Sequence, residues 1–112
     1  VKIKTSELKG AALDWAVAKC EGWGVMKLEK NFLFGTSGDA ENFSTDWSLA
    51  GPIIEREKIA LNPHEIDDDC WFAKDPNPKT YCEEGQTPLI AAMRCYVASK
   101  MGDEIEIPNE LK

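Results

Sequence analysis

The apolar positions Leu13, Ala16, Val17 and Cys20 recur at i, i+3, i+4 and i+7, which places them on one face of a helix running from about Leu8 to Glu21. Thr5 or Ser6 supplies a start signal, and Gly22 a left-handed stop. Val25–Leu28 and Phe32–Phe34 predict two strands, joined through Glu29-Lys30-Asn31 as a tight hairpin. The Gly/Ser/Asp/Asn-rich stretch Thr36–Asn42 reads as loop. Ser44-Thr45-Asp46 then offers caps for a helical segment beginning near Trp47. Pro52 removes a backbone donor from it, so either a kink or two short helices meeting at Gly51-Pro52 is expected. Ile53 and Ile54 belong to the second piece, and the alternation Ile59-Ala60-Leu61 predicts a strand ended by Asn62-Pro63.

Within Asp69–Glu83, Cys70-Trp71-Phe72 and Thr80-Tyr81-Cys82 flank the turn-rich Lys74–Lys79. A symmetric hairpin about Pro76 would set Trp71 opposite Tyr81 and Cys70 opposite Cys82, close enough for the sulfurs to bond under oxidation. Thr87 caps the last helix, Pro88 takes its first position and Gly102 ends it. Between them, Leu89–Ala98 is apolar on nearly every side, so this helix is expected at the centre of the molecule. Glu104-Ile105-Glu106-Ile107-Pro108 alternates as a strand with its acids outward, as suits an exposed edge. Together these elements predict an α+β fold: one antiparallel sheet of four to six strands with the N-terminal and C-terminal helices packed on it.

The 112 residues, 43% of them apolar, allow a single domain spanning 1–112 with its own core. Thirteen bases against twenty acids give a net charge of −7, concentrated in residues 61–112, which carry five bases and eleven acids. Binding to a phosphate backbone needs clustered Lys/Arg, and none occurs, so no direct nucleic-acid binding is expected. No apolar run is long enough to span a bilayer, and no membrane attachment is expected. Val1–Thr5 lacks the apolar region of a secretory signal, which makes reducing cytoplasm the expected compartment.

Cys20, Cys70, Cys82 and Cys95 are separated by 50, 12 and 13 residues, without a Cys-x-x-Cys pair and with His64 as the single histidine. That spacing argues against zinc, and no metal or cofactor is expected. Asp67-Asp68-Asp69 lacks the alternating ligands and distal Glu of a calcium loop. Neither a Gly-rich phosphate loop nor a nucleophile–base pair is visible, and no catalytic residue is assigned. The candidate binding residues are Asp46, Trp47, Arg56 and Arg94: a carboxylate, an indole and two guanidiniums that could surround a cleft. Arg94, the charge inside the apolar run of the last helix, is expected to pair with an acid such as Asp14 or Glu7.

Three blocks carry a family resemblance. Thr5-Ser6-Glu7-Leu8 with Gly10–Ala18 resembles the opening of phage NinX-type proteins. Ser44-Thr45-Asp46-Trp47 with Gly51–Glu57 is similar to their middle motif, and Thr87–Val97 with Gly102-Asp103-Glu104 to their C-terminal one. The region from Leu61 to Glu83 is where such proteins vary, so the resemblance does not bear on the hairpin. It implies a lambdoid phage or prophage protein made in the bacterial cytoplasm, from a family without an established activity and without catalytic residues to transfer. The middle and final motifs also resemble small phage domains with an α-β-α sandwich.

The expectation drawn from these features is a non-enzymatic phage accessory protein that binds a host or phage protein; no oligomeric state is assigned. Two other readings stay open. One is a nucleic-acid mimic inhibiting a host DNA-binding enzyme, which requires Asp67–Asp69, Glu83-Glu84 and Glu104/Glu106 on one face. The other is a small ligand-binding or enzymatic domain built on Asp46, Trp47, Arg56 or Arg94.

Overall fold

A computed structural model describes residues 2–21, 27–29, 32–34, 42–66, 69–76 and 82–107. Strand β1 (Lys2–Lys4) leads through a 3-10 turn at Thr5–Glu7 into α1 (Gly10–Cys20). Strands β2 (Lys27–Glu29) and β3 (Phe32–Phe34) precede α2 (Trp47–Glu57). Next come β4 (Ala60–Pro63), β5 (Trp71–Lys74), β6 (Cys82–Gly85), α3 (Pro88–Met101) and β7 (Glu104–Glu106). The class is α+β and all described pairing is antiparallel. Among the described residues the strands fall into separate ladders, β1-β7, β2-β3 and β4-β5-β6, rather than one continuous sheet.

Helix α3 lies at the centre. Leu89, Ala91, Ala92, Met93, Cys95, Tyr96, Val97 and Ala98 are all buried, which covers most of its circumference. It packs against β4, β5 and β6, and also against α1 and α2. Alanines on the sheet side permit a close approach, and β6 answers with Gly85: a Cβ there would stand 2.5 Å from the backbone nitrogen of Ala91. The Thr87 hydroxyl accepts from Ile90 N–H at 3.1 Å, and Gly102 ends the helix at φ +88°, a conformation open chiefly to glycine. Start, stop and centrality of this helix all match the sequence reading.

The N-terminus departs from it. Helix α1 begins at Gly10 after an N-cap, Lys9, that makes no side-chain cap bond. Thr5 is buried and works elsewhere: its hydroxyl donates to the Gly102 carbonyl at 2.7 Å and its N–H to the Asp103 carbonyl at 2.7 Å. Those bonds dock the first residues beside the end of α3 and align β1 with β7, so that Lys2 faces Glu106, Ile3 faces Ile105 and Lys4 faces Glu104. Opposed unlike charges and a central Ile pair favour this register. The β1 strand was not expected, because three residues of alternation acquire meaning only beside their partner.

Helix α2 is one continuous element, in place of a pair of short helices. Pro52, inside it, forgoes a single i→i−4 bond, while Asp46 caps the start and Lys58, in the left-handed region at φ 54°, ends it. The β2–β3 pair closes between Glu29 and Phe32, so Glu29 is a strand residue; the rest of that expected turn, and Val25, Met26 and Gly22, lie outside the described residues. So does nearly all of the loop expected over Thr36–Asn42.

The hairpin register is a correction. Trp71 stands opposite Gly85, Ala73 opposite Glu83 and Lys74 opposite Cys82, in place of the expected facing of Trp71 with Tyr81 and Cys70 with Cys82. Gly85, the residue facing Trp71, lies against α3 where no side chain fits. Cys70 therefore sits four residues, about 13 Å of strand, from the position facing Cys82, beyond the reach of a disulfide. Intact mass and peptide mapping after mild oxidation of the folded protein will show no Cys70–Cys82 bridge; a stoichiometric bridge would contradict the register.

Candidate functional site

The N-terminus of α2 presents the first two candidate residues together. Asp46 Oδ1 accepts from Ser48 N–H at 2.9 Å and from the Ser48 hydroxyl at 2.6 Å, and these bonds hold the Asp46 carboxyl below the usual aspartate range. Trp47 follows at the first helical position with 53% of its surface exposed. Trp15 is buried in the core and Trp71 is half-buried against it, so Trp47 stands apart among the described tryptophans. The turn leading to α2 is fixed from below: Ser44 N–H donates to the buried Asp14 carboxylate at 2.8 Å. Burial raises the Asp14 pKa, with the Ser44 bonds opposing.

Arg56 sits nine residues beyond Trp47 on the same helix, roughly 13 Å along its axis. There the C-terminal ends of all three helices meet. Arg56 donates to Glu21 through Nη1 at 3.2 Å and Nη2 at 2.6 Å, a forked contact, and through Nε to Glu57 at 2.8 Å. The Tyr96 hydroxyl donates to the same Glu21 oxygen, and Lys100 reaches Glu57 at 3.2 Å. The Arg56 and Lys100 cations lie 5.8 and 5.9 Å from the centre of the Tyr96 ring. Burial works against ionising Glu21, but the bonds from Arg56 and Tyr96 outweigh it and its pKa falls. The Arg56 bond likewise lowers Glu57, while Glu21 and Glu57 raise Arg56. Burial first, then the Glu21 bond, pushes the Tyr96 phenol up. Burial next to Glu21 also raises the Cys20 thiol to about 12, which keeps it protonated and unreactive at neutral pH.

Arg94 is a separate matter. Two positions from Tyr96 on α3, it points about 200° away around the helix. Its Nε donates to the Leu8 carbonyl at 2.7 Å and its Nη1 to the Glu84 carbonyl at 2.8 Å, joining the start of α1 to β6. The expected pairing with Asp14 or Glu7 is thus replaced by backbone carbonyls, Asp14 being taken by Ser44. Burial lowers the Arg94 pKa with Glu83 opposing, and burial raises that of Glu83 with Arg94 opposing.

The structure therefore brings Asp46 and Trp47 together, and sets Arg56 and Arg94 at two other places. Glu21, Glu57, Tyr96 and Lys100 are the residues the sequence reading missed; the one available signal was Tyr96, a phenol in a buried helix that needs a partner. A cleft of about 330 Å³ joins Arg94 with Asp69, Cys70, Glu84 and Gln86, a guanidinium with carboxylates but without a tryptophan. Another, of about 300 Å³, opens beside the helix-end cluster at Glu57, Asp75, Ser99 and Lys100. A third, of about 500 Å³, lies by His64, whose ring stacks on Phe72 at 5.0 Å and whose Nδ1 accepts from Ile66 N–H at 3.1 Å. No helix among the described residues is long and apolar enough to cross a membrane.

Two substitutions separate these roles. Arg94→Met leaves two carbonyls without their donor and will cost about 2–3 kcal/mol in urea unfolding at unchanged slope. Glu21→Gln will cost about 1 kcal/mol at neutral pH. Because the folded pKa of Glu21 is depressed, its contribution is present above the unfolded value and lost as pH falls through the folded one. The gap between wild type and Glu21→Gln will accordingly close as pH drops below about 4, as followed by urea midpoints across pH. Asp14 and Glu83, with raised values, act in the opposite direction but equally in both proteins.

No curated protein matches the chain significantly. The family described as Bacteriophage P22, NinX does match, over residues 4–100, a span that runs from β1 through nearly all of α3 and includes every candidate residue above. On that evidence this chain is a member of the bacteriophage P22 NinX family.

Proposed function

We propose that this NinX-family chain is a phage accessory protein that acts by binding a host or phage protein, without chemistry of its own. The observation that carries the reading is Trp47: a large apolar side chain more than half exposed at the rim of a well-packed domain. Exposing an indole forgoes burial worth about 2 kcal/mol, and tryptophan is over-represented among residues that anchor protein interfaces. The charged candidates support it from the other side. Arg56 is held by two carboxylates and Arg94 by two carbonyls, so both guanidiniums are occupied within the chain.

Nucleic-acid mimicry receives less support, since Glu104 and Glu106 stand directly across from Lys4 and Lys2 and do not form an uncompensated anionic row. The test compares affinity-tagged wild type with Trp47→Ala in lysate of infected host cells. Wild type will recover a stoichiometric protein that Trp47→Ala loses at least tenfold, with both proteins melting at about the same temperature. Background recovery alone, or retention by the variant, would overturn the reading.

A further inference from the structure

Gly51 and Pro52 occupy the interior of α2, and they are the two residue types least favourable there. Among the described residues nothing accounts for Gly51. A Cβ at that position meets no atom within 4 Å, in contrast to Gly85, where it would collide with the backbone of α3. The space that a side chain would fill is open to the outside. Helical geometry puts Trp47, Gly51 and Glu55, spaced by four residues, on one stripe of α2. Trp47 and Glu55 are exposed and Gly51 is half-buried. The stripe thus runs from an indole, across a stretch of bare backbone, to a carboxylate.

Its other groups are acceptors. Exposed Pro52 has no N–H to offer the carbonyl of Ser48, four residues back. Asp46 stands at the indole end, with both bonds from Ser48 falling on Oδ1. Arg56, the neighbouring cation, is engaged by Glu21 and Glu57, and Lys58 lies past the end of the helix. An indole with the Asp46 carboxylate beside it and Glu55 two turns further along the same stripe suits cationic donors. A second copy of this chain, itself at −7, is a poor occupant.

We infer that the Trp47–Gly51–Glu55 stripe is a docking groove for a basic segment of a protein partner, whose backbone crosses α2 at Gly51 while one Lys or Arg lies on the Trp47 indole beside Asp46 and another meets Glu55. This rests on the partner-binding reading above and names the chemistry of the partner.

The test uses two short probe peptides, one of alternating Arg and Leu and one of alternating Glu and Leu, titrated into the isotope-labelled chain and followed by amide NMR shifts. The basic peptide will shift residues 46–55, the acidic one will not, and affinity will fall about tenfold on moving from low to high salt. Gly51→Ala will raise the thermal midpoint by a few degrees, since the helix gains and nothing clashes. Gly51→Leu will fold as well as wild type and bind the basic peptide at least about tenfold more weakly, because its side chain fills the crossing point. Shifts scattered over the acidic surface, equal binding by Gly51→Leu, or self-association that buries Trp47 would each overturn the groove. If a lysate partner depends on Trp47 yet ignores both Gly51→Leu and salt, the basic groove falls while the binding reading stands. If Trp47→Ala keeps the partner, the binding reading itself fails.

Discussion

A helix that is apolar around most of its circumference has to be enclosed, and in this chain α3 is the element that demands it. The three-stranded ladder covers one side of it, and α1 and α2 cover others. The close approach of the ladder requires Gly85, where any side chain would collide with the backbone of α3. The end of α3, turned by Gly102, holds Thr5 and with it the N-terminal strand. Much of the long-range order thus follows from burying one helix.

The polar groups follow the same organisation. Packed on α3, helices α1 and α2 end close to its C-terminal end, and each helix end carries unpaired carbonyls and a partial negative charge. Lys19, Arg56 and Lys100 stand in the last turns, where that field favours cations. Arg56 and Lys100 then gather Glu21, Glu57 and the Tyr96 hydroxyl into one compensated cluster. A guanidinium held this way ties elements together and has little left to offer a ligand. Arg94 does the same for the start of α1 and β6, through carbonyls.

Of the candidate site, the part legible in the sequence was local. Asp46 before an amphipathic segment, with Ser48 two residues on, is a cap that can be read from neighbours alone, and its position next to Trp47 is a matter of adjacency. The roles of Arg56 and Arg94 were not legible, because their partners are 35 and 86 residues away in the chain for Glu21 and Leu8. Exposure of Trp47 was equally invisible: Asp14-Trp15 and Asp46-Trp47 are the same dipeptide near two helix starts, yet one indole is in the core and the other at the surface. Helix α1 packs against α3 and the β3 strand, whereas among the described elements α2 packs mainly on α3, with Trp47 on its exposed side.

From the sequence alone came the α+β class, the three helices, the Asp46 cap of α2 and both ends of α3, the central place of α3 and the family, since periodicity, capping and motif spacing are properties of residues near one another in the chain. Tertiary structure decided the division of strands into separate ladders, the pairing of Lys2-Ile3-Lys4 with Glu104-Ile105-Glu106, and the four-residue shift of the β5–β6 hairpin away from a Cys70–Cys82 pairing. It also decided which charges are spent internally and which aromatic faces outward. The reason is that register and exposure depend on what stands opposite a residue in space: a lysine row finds its glutamates, and a glycine its crossing helix, only after the chain has folded back on itself.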